Sequence, residues 1–136
     1  MNRILGIDYG ERRVGLALSD PLNIFAKPYL TIDRKFSPDL LKEIIRVIQK
    51  KSVNQIVIGI PLNMKGMDSK QTGIVREFIK VLGTKIKLPI HLQDERLSSK
   101  SAKQSLILQN KSPSRNKESI DSTAACLILQ EFLDSK

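Results

Sequence analysis

The sequence has little of the chemistry on which several common classes of site depend. Its 136 residues include one cysteine, Cys126, and one histidine, His91. A single cysteine excludes a disulfide or a cysteine-rich zinc site within the chain, and a single histidine excludes a two-histidine metal motif. We therefore interpret His91 as a strand side chain with a local partner and Cys126 as a core residue of a packed helix.

Aromatic residues and long apolar runs are also scarce. Aromatic side chains make up 4% of the chain and there is no Trp, which argues against a binder that stacks single-stranded bases on a row of aromatic rings. No apolar run approaches the roughly 20 residues of a membrane span. The first apolar run is short and carries Asp8, unlike the apolar region of a signal peptide. We expect a cytoplasmic protein without a membrane partner.

The chain is rich in charged residues, and most of them are basic. The chain carries 23 Lys and Arg against 14 Asp and Glu, a net charge of +9. In a small protein this excess favours a polyanionic partner, most often nucleic acid, over the alternative that the charge serves solubility alone. The length is most simply that of one domain spanning residues 1–136.

The apolar patterns predict an α/β fold. Residues 3–8 and 13–19 are joined so tightly that they must form an antiparallel hairpin, and Pro28 puts the next strand near an edge. Gln55–Ile60 is a continuous apolar run, typical of a parallel strand covered on both faces. The five predicted strands span residues 3–8, 13–19, 25–33, 55–60 and 89–95. Together they predict a mixed sheet with three antiparallel leading strands, then parallel strands.

Four helices are predicted to cover both faces of this sheet. Apolar spacing of three and four residues defines each of them, and capping residues mark their starts. The first has Ser37 as its N-cap and Pro38 at its first position. The other starts lie in a capping-box pattern over Asp68–Gln71, at Ser98 or Ser99, and at Ile120.

Three carboxylates, Asp8, Glu95 and Asp121, stand where an apolar pattern meets a loop. In a sheet with parallel strands such positions meet at the carboxyl ends of the strands, where sites form. Converging carboxylates repel one another unless divalent cations bridge them, and oxygen ligands without Cys or His favour two ions of Mg²⁺ or Mn²⁺. Simpler roles are open: Asp8 could cap the turn before Gly10, and Asp121 could favour its helix dipole. Asp94 and Glu95 alternate, so only one can face the site.

Four motifs in this order resemble the YqgF (RuvX) family. This family has the RNase H-like fold, and its members are described as pre-16S rRNA nucleases, formerly as Holliday-junction resolvases. The resemblance spans nearly the whole chain. Its motifs are Gly6–Gly10 with Val14–Ala17, Val57–Met64 with Gly66, Asp94–Ser98, and Asn116–Lys117 with Ile120–Leu129.

The resemblance implies roles for particular residues. Asp8, Glu95 and Asp121 would be the catalytic, metal-binding triad. Arg96 and Lys117 would lie beside the phosphates, and the loop 61–66, with Asn63, would help to form the substrate groove. Arg12 and Arg13, beside the first turn, and Arg115, in a basic polar loop, are further candidates for binding nucleic acid.

Four functions are possible for a chain with this sequence. A metal-dependent endonuclease that processes the 5′ end of precursor 16S rRNA, in pre-ribosomal particles, fits the acids and the basic charge best. A junction resolvase would need a symmetric dimer. The sequence shows no obvious dimer patch, and we expect a monomer or weak homodimer. A non-catalytic rRNA binder would use the basic surface alone. An actin-like ATPase is disfavoured because it needs two such domains.

Overall fold

A computed structural model describes residues 2–36, 39–94 and 117–135, with the backbone alone for residues 117–122. The described elements are five strands and three helices. The strands are β1 (Arg3–Tyr9), β2 (Arg13–Ser19), β3 (Ala26–Asp33), β4 (Val53–Ile60) and β5 (Ile90–Asp94). The helices are α1 (Leu40–Lys50), α2 (Lys70–Lys85) and α3 (Lys117–Asp134). The helix predicted to end near Gln109 lies outside the described residues.

The five strands form one mixed sheet in the order β3-β2-β1-β4-β5. The β1–β2 and β2–β3 pairs are antiparallel, and the β1–β4 and β4–β5 pairs are parallel. This confirms the predicted sheet. β3 lies at an edge, as Pro28 indicated, and the ladder shifts register between Leu16 and Ala17, which pairs with Pro28. An edge tolerates the missing donor of a proline because no further strand needs it.

Helices cover both faces of the sheet. On one face, α1 and α2 pack over alternate strand residues, including Leu5, Ile7 and Ile58. On the other face, α3 packs over the residues between them, including Ile4 and Val57. The helix α3 contacts all five strands. None of the described helices is long and apolar enough to cross a membrane.

The helix starts differ from the predicted ones in detail. The N-cap of α1 is Asp39 rather than Ser37, and its carboxylate accepts the Lys42 N–H at 3.1 Å. A carboxylate at this position also interacts favourably with the helix dipole. The capping box of α2 is made by Ser69 and Thr72, since the Asp68 side chain instead forms two hydrogen bonds with Arg76 at 2.8 and 3.0 Å.

The single histidine and cysteine have local partners. His91 Nε2 lies 3.1 Å from Gln55 Oε1, and its ring lies 4.8 Å from that of Phe132. The Cys126 thiol donates to the Ala26 carbonyl at 3.2 Å, and burial raises the pKa of this thiol. Both side chains therefore contribute to packing, as the sequence predicted, although Cys126 is only partly buried.

Gly6 allows α3 to lie directly on β1. A Cβ atom at Gly6 would lie 2.8 Å from Leu129 Cβ and 3.0 Å from the Ala125 carbonyl oxygen. Gly6 itself is buried, as are Ala125 and Leu129. The missing side chain therefore sets how closely the helix approaches the central strand, two residues before Asp8.

We predict that Gly6→Ala destabilises the fold. Overpacked core positions typically cost about 1–3 kcal/mol, and here the added methyl group meets backbone as well as a side chain. The matched control is Gly83→Ala in α2, where an added Cβ has nothing within 4 Å. That change should be neutral or stabilise by up to about 1 kcal/mol. Urea unfolding followed by circular dichroism measures both, and equal stabilities would contradict the prediction.

Candidate functional site

The carboxyl ends of β1, β4 and β5 meet at one edge of the sheet, which we call the rim. The parallel ladders align Ile7 with Ile58, and Ile60 with Asp94. Asp8 is the next residue of β1 after Ile7 and therefore lies at the rim, on the central strand. Open sheets with parallel strands bind ligands outside these ends, because the chain leaves the sheet there and opens a crevice.

Asp8 lies on the face of the sheet that α3 covers. Side chains alternate along a strand, so Asp8 shares a face with Ile4 and Gly6. Ile4 belongs to the core cluster under α3, and Gly6 contacts α3 directly. Asp8 itself is half-buried. A carboxylate in this position is partly withdrawn from water and needs cations or donors around it.

The direction of α3 brings its first turns towards the rim. Near its end, Gln130 accepts the Ala26 N–H at 2.8 Å. Ala26 pairs with Ser19, whose hydroxyl accepts the Ile4 N–H at 2.8 Å, so this end of α3 lies at the start of β1. Ala125 lies over Gly6, further along β1. The first turns of α3 therefore extend towards Asp8.

Two predicted site residues belong to these first turns. Asp121 stands one helical turn before Ala125, and Lys117 is the first residue of α3. The backbone thus brings position 121 towards the rim on the helix that covers Asp8. Three other predicted site residues, Glu95, Arg96 and Arg115, lie outside the described residues.

Strand alternation decides which face of the sheet Asp94, the last residue of β5, belongs to. His91 and Gln93 lie on the α3 face: His91 contacts Phe132, and Gln93 Nε2 donates to Glu131 at 3.3 Å. Asp94 alternates with Gln93 and so belongs to the opposite face, as does Ile90 in the other core cluster. Of the pair Asp94 and Glu95, Asp94 is therefore not the partner of Asp8.

The residue opposite Asp8 on β2 is Gly15. Because glycine has no side chain, no side chain of β2 lies directly beside the Asp8 carboxylate. The next residue on the same face of β2 is Arg13, which is paired in register with Asp33 of β3. A cation and a second carboxylate therefore share the face of Asp8 at the rim.

Asp33 interacts with both predicted arginines. Its carboxylate lies 3.7 Å from Arg12 Nε and 4.0 Å from Arg13 Nε. The Arg12 side chain is 58% exposed, whereas that of Arg13 is 19% exposed and its buried Nε has no hydrogen-bond partner among the described residues. The two arginines are therefore not equivalent: Arg12 can reach a ligand, and Arg13 is held within the sheet surface.

Tyr9 anchors the end of β1 on the opposite face. Its ring stacks on Phe78 of α2 with centroids 4.3 Å apart, and its hydroxyl accepts a hydrogen bond from Arg34 at 2.9 Å. Arg34 also donates to the Glu11 carbonyl at 3.2 Å. Aromatic pairs of this kind contribute about 0.5–1.5 kcal/mol beyond their buried area. The backbone that carries Asp8 is thereby fixed.

Asn63 organises the loop that follows β4. Its carboxamide oxygen accepts the N–H groups of Lys65 at 2.9 Å and Met67 at 3.0 Å. Its backbone N–H donates to the Met67 carbonyl at 2.9 Å. Asn63 is exposed in the loop that follows β4, and the oxygen of its side chain shapes that loop.

The structure also adds a residue that the sequence reasoning missed. Asp33 was only the end of a predicted strand, and nothing in the sequence pairs it with Arg12 and Arg13. Only the pairing register of β2 with β3 would have revealed this contact. That register cannot be read from the sequence because it shifts between Leu16 and Ala17. Among the described side chains no group of three potential metal ligands occurs, and Asp8 is the member of the predicted triad whose side chain is described.

Comparison with solved structures identifies the fold. RuvC of T. thermophilus in complex with a Holliday junction substrate matches with a TM-score of 0.60 at 11% identity, covering 99% of this chain and 95% of that one. The fowlpox virus resolvase in complex with Holliday junction DNA matches with a TM-score of 0.60 at 12% identity, covering 98% and 97%. The RNase H-like fold expected from the sequence is confirmed.

Comparison with sequences identifies the family. A protein of Maridesulfovibrio salexigens named "Putative pre-16S rRNA nuclease" is 42% identical over 131 residues, covering 96% of this chain and 97% of that protein. A protein of the same name from Roseiflexus sp. is 39% identical over 134 residues, covering 98% and 95%. The family model described as "RuvX: Holliday junction resolvase" matches residues 2–135, and the chain therefore belongs to the RuvX family.

Proposed function

We propose that this protein is an endonuclease that hydrolyses phosphodiester bonds in structured RNA. Its substrate is precursor 16S rRNA, processed at the 5′ end within pre-ribosomal particles in the cytoplasm. The observation that carries the proposal is Asp8, a half-buried carboxylate at the carboxyl end of the central strand, on the face towards which the first turns of α3 extend. The name carried by relatives at 42% and 39% identity supports an RNA substrate.

The donors offered at the rim fit a hard divalent cation. Asp8 supplies carboxylate oxygens, while His91, the only imidazole of the chain, lies within hydrogen-bond distance of Gln55. The family resemblance adds Glu95 and Asp121, and position 121 is one helical turn before Ala125. Oxygen donors favour Mg²⁺ or Mn²⁺ over Zn²⁺. Asp8, Glu95 and Asp121 would hold two such ions.

The carboxylates and the residues that position them have separate roles in the proposed reaction. Ions held by the three acids would supply an activated water and neutralise charge on the departing oxygen. Asp8 is fixed in place because Tyr9, its neighbour, is stacked on Phe78.

The basic residues hold the nucleic-acid backbone next to this acidic centre. Arg12 is exposed and can exchange its contact with Asp33 for a phosphate, and Arg13 stays within the sheet surface as a fixed positive charge. By the family resemblance, Arg96, Arg115 and Lys117 would add further phosphate contacts. Without these cations the three carboxylates would repel the substrate.

A four-way DNA junction is the second candidate substrate. The family description and the two junction-bound structures of the same fold favour it. A resolvase must cut two strands symmetrically and so needs two sites in a stable dimer. We propose a monomer or weak homodimer, and therefore RNA as the substrate.

We predict that Asp8→Asn reduces cleavage of precursor 16S rRNA at least about a hundredfold, because loss of a charged metal ligand removes several kcal/mol of transition-state stabilisation. Folding and RNA affinity should stay near wild type. The matched control is Glu77→Gln, which removes one exposed carboxylate from α2 and should leave cleavage unchanged. Gel analysis of a labelled precursor fragment measures the rate, and full activity of Asp8→Asn would exclude the proposed role of this residue.

The same assay separates the candidate functions. Wild-type protein is incubated with a precursor rRNA fragment or a four-way junction, in Mg²⁺, Mn²⁺ or chelator. Cleavage of the RNA alone supports the proposal, and paired symmetric cuts in the junction would replace it with a resolvase. If neither substrate is cut and calorimetry detects no Mn²⁺ binding, the protein is an rRNA-binding protein without catalysis.

We predict that Arg12→Ala weakens binding of the precursor fragment and lowers the slope of log K against log salt by about one, since one phosphate contact is lost. Arg46→Ala is the matched control. Arg46 is exposed to a similar degree, 61% against 58%, but lies on α1, on the other face of the sheet. Fluorescence anisotropy at several salt concentrations measures both variants, and identical slopes would rule out a phosphate contact for Arg12.

A further inference from the structure

An exposed apolar tip stands at the rim next to the proposed site. The β4–α2 loop, residues 61–69, follows the carboxyl end of β4, the strand beside β1. Within it Met64 and Met67 are 92% and 62% exposed. Covering a methionine side chain is worth about 1.5–3 kcal/mol in apolar surface removed from water. Two such side chains on one short loop suggest a surface that another molecule covers.

The loop holds these methionines on a fixed support. Asn63 closes it by accepting two backbone N–H groups, and Gly66 donates back to the Asn63 carbonyl at 2.9 Å. Gly66 has φ 75°, a conformation that glycine adopts without strain. At its base, the Pro61 carbonyl accepts hydrogen bonds from Thr72 at 2.5 Å and Ser69 at 3.3 Å. A preorganised tip loses little conformational entropy on binding.

The surroundings of the tip indicate its ligand. Lys65 lies between the two methionines and Lys70 opens α2 directly after the loop, and both are exposed. An apolar tip flanked by cations matches a nucleic acid, which presents base surfaces between phosphates. The chain has few aromatic residues, 4% in all, with which to contact bases otherwise. Proteins that kink duplex DNA insert methionine, among other apolar side chains, between base steps.

We propose that Met64 is an apolar wedge that packs against unstacked bases of the bound nucleic acid, next to the strand held at Asp8. Met67 supports the wedge, and Lys65 contacts the adjacent phosphate. This inference rests on the proposed function, since it assigns the loop to the same substrate. It also explains how a structured substrate is opened where the acids must reach the backbone.

The role of Asn63 in holding the loop closed can be tested separately. Asn63→Ala removes the acceptor for the Lys65 and Met67 amides, so we predict that both exchange with solvent about tenfold faster or more. Affinity for the RNA should fall even though Met64 is retained. Asn63→Asp keeps an acceptor oxygen and should preserve slow exchange. Hydrogen exchange by NMR measures this, and unchanged protection in Asn63→Ala would contradict a closed loop.

The wedge itself is tested in the Asp8→Asn background, where the substrate stays intact. The probe is a precursor 16S rRNA fragment with 2-aminopurine placed singly at bases flanking the cleavage position, whose fluorescence rises when a base unstacks. We predict a rise on binding that Met64→Gln abolishes, with affinity about fivefold or more weaker. Met64→Leu should retain both, and Leu22→Gln, at another strongly exposed apolar site (76% against 92%) away from the rim, should change neither.

The outcomes distinguish a failure of the proposed role of Met64 from a failure of the proposed nuclease activity. If wild-type protein cleaves RNA and Met64→Gln leaves affinity and fluorescence unchanged, the wedge is wrong and the nuclease stands. If fluorescence depends on Met64 but no cleavage occurs with intact Asp8, the wedge stands and the nuclease is wrong. If Met64→Gln leaves RNA binding unchanged and instead abolishes binding to a ribosomal protein, the tip is a protein-docking surface and the wedge is excluded.

Discussion

The contact of α3 with β1 at Gly6 is the constraint on which the rest of the site depends. A side chain there would collide with Leu129 and with the Ala125 backbone, so the absence of a Cβ sets the distance between helix and sheet. Because α3 crosses all five strands, this one close approach fixes the helix over the whole face. The first turns of α3 are consequently held towards Asp8, two residues beyond Gly6. Packing deep in the core thus determines where a polar site can form.

Much of the fold could be predicted because its signals are local. A buried parallel strand gives a continuous apolar run such as 55–60, and a tight hairpin leaves the chain no alternative to antiparallel pairing. The same patterns placed Asp8 at a strand end. Helix caps were less predictable: the sequence offers Ser37 and Asp39 within three residues, and which one caps α1 depends on where tertiary packing starts the helix.

The electrostatics of the site could not be predicted, because they depend on register. Asp33 comes opposite Arg13 only after the β2–β3 ladder shifts by one residue near Pro28. A one-residue change in register would move its carboxylate to the other face. The sequence therefore named both arginines without saying that a carboxylate holds them, or that one is exposed and the other is not. Composition gives the excess of positive charge, whereas strand pairing decides which carboxylate the two arginines contact and which of them is exposed.

The exposed methionines lie at the rim on a loop whose backbone is held by hydrogen bonds. Asn63 hydrogen-bonds the loop backbone within itself, so the loop keeps its shape and the free energy of covering its apolar surface is available on binding. At 92% exposure, Met64 is held away from the sheet. A chain poor in aromatic rings can in this way still present an apolar surface to bases, provided that its backbone is fixed.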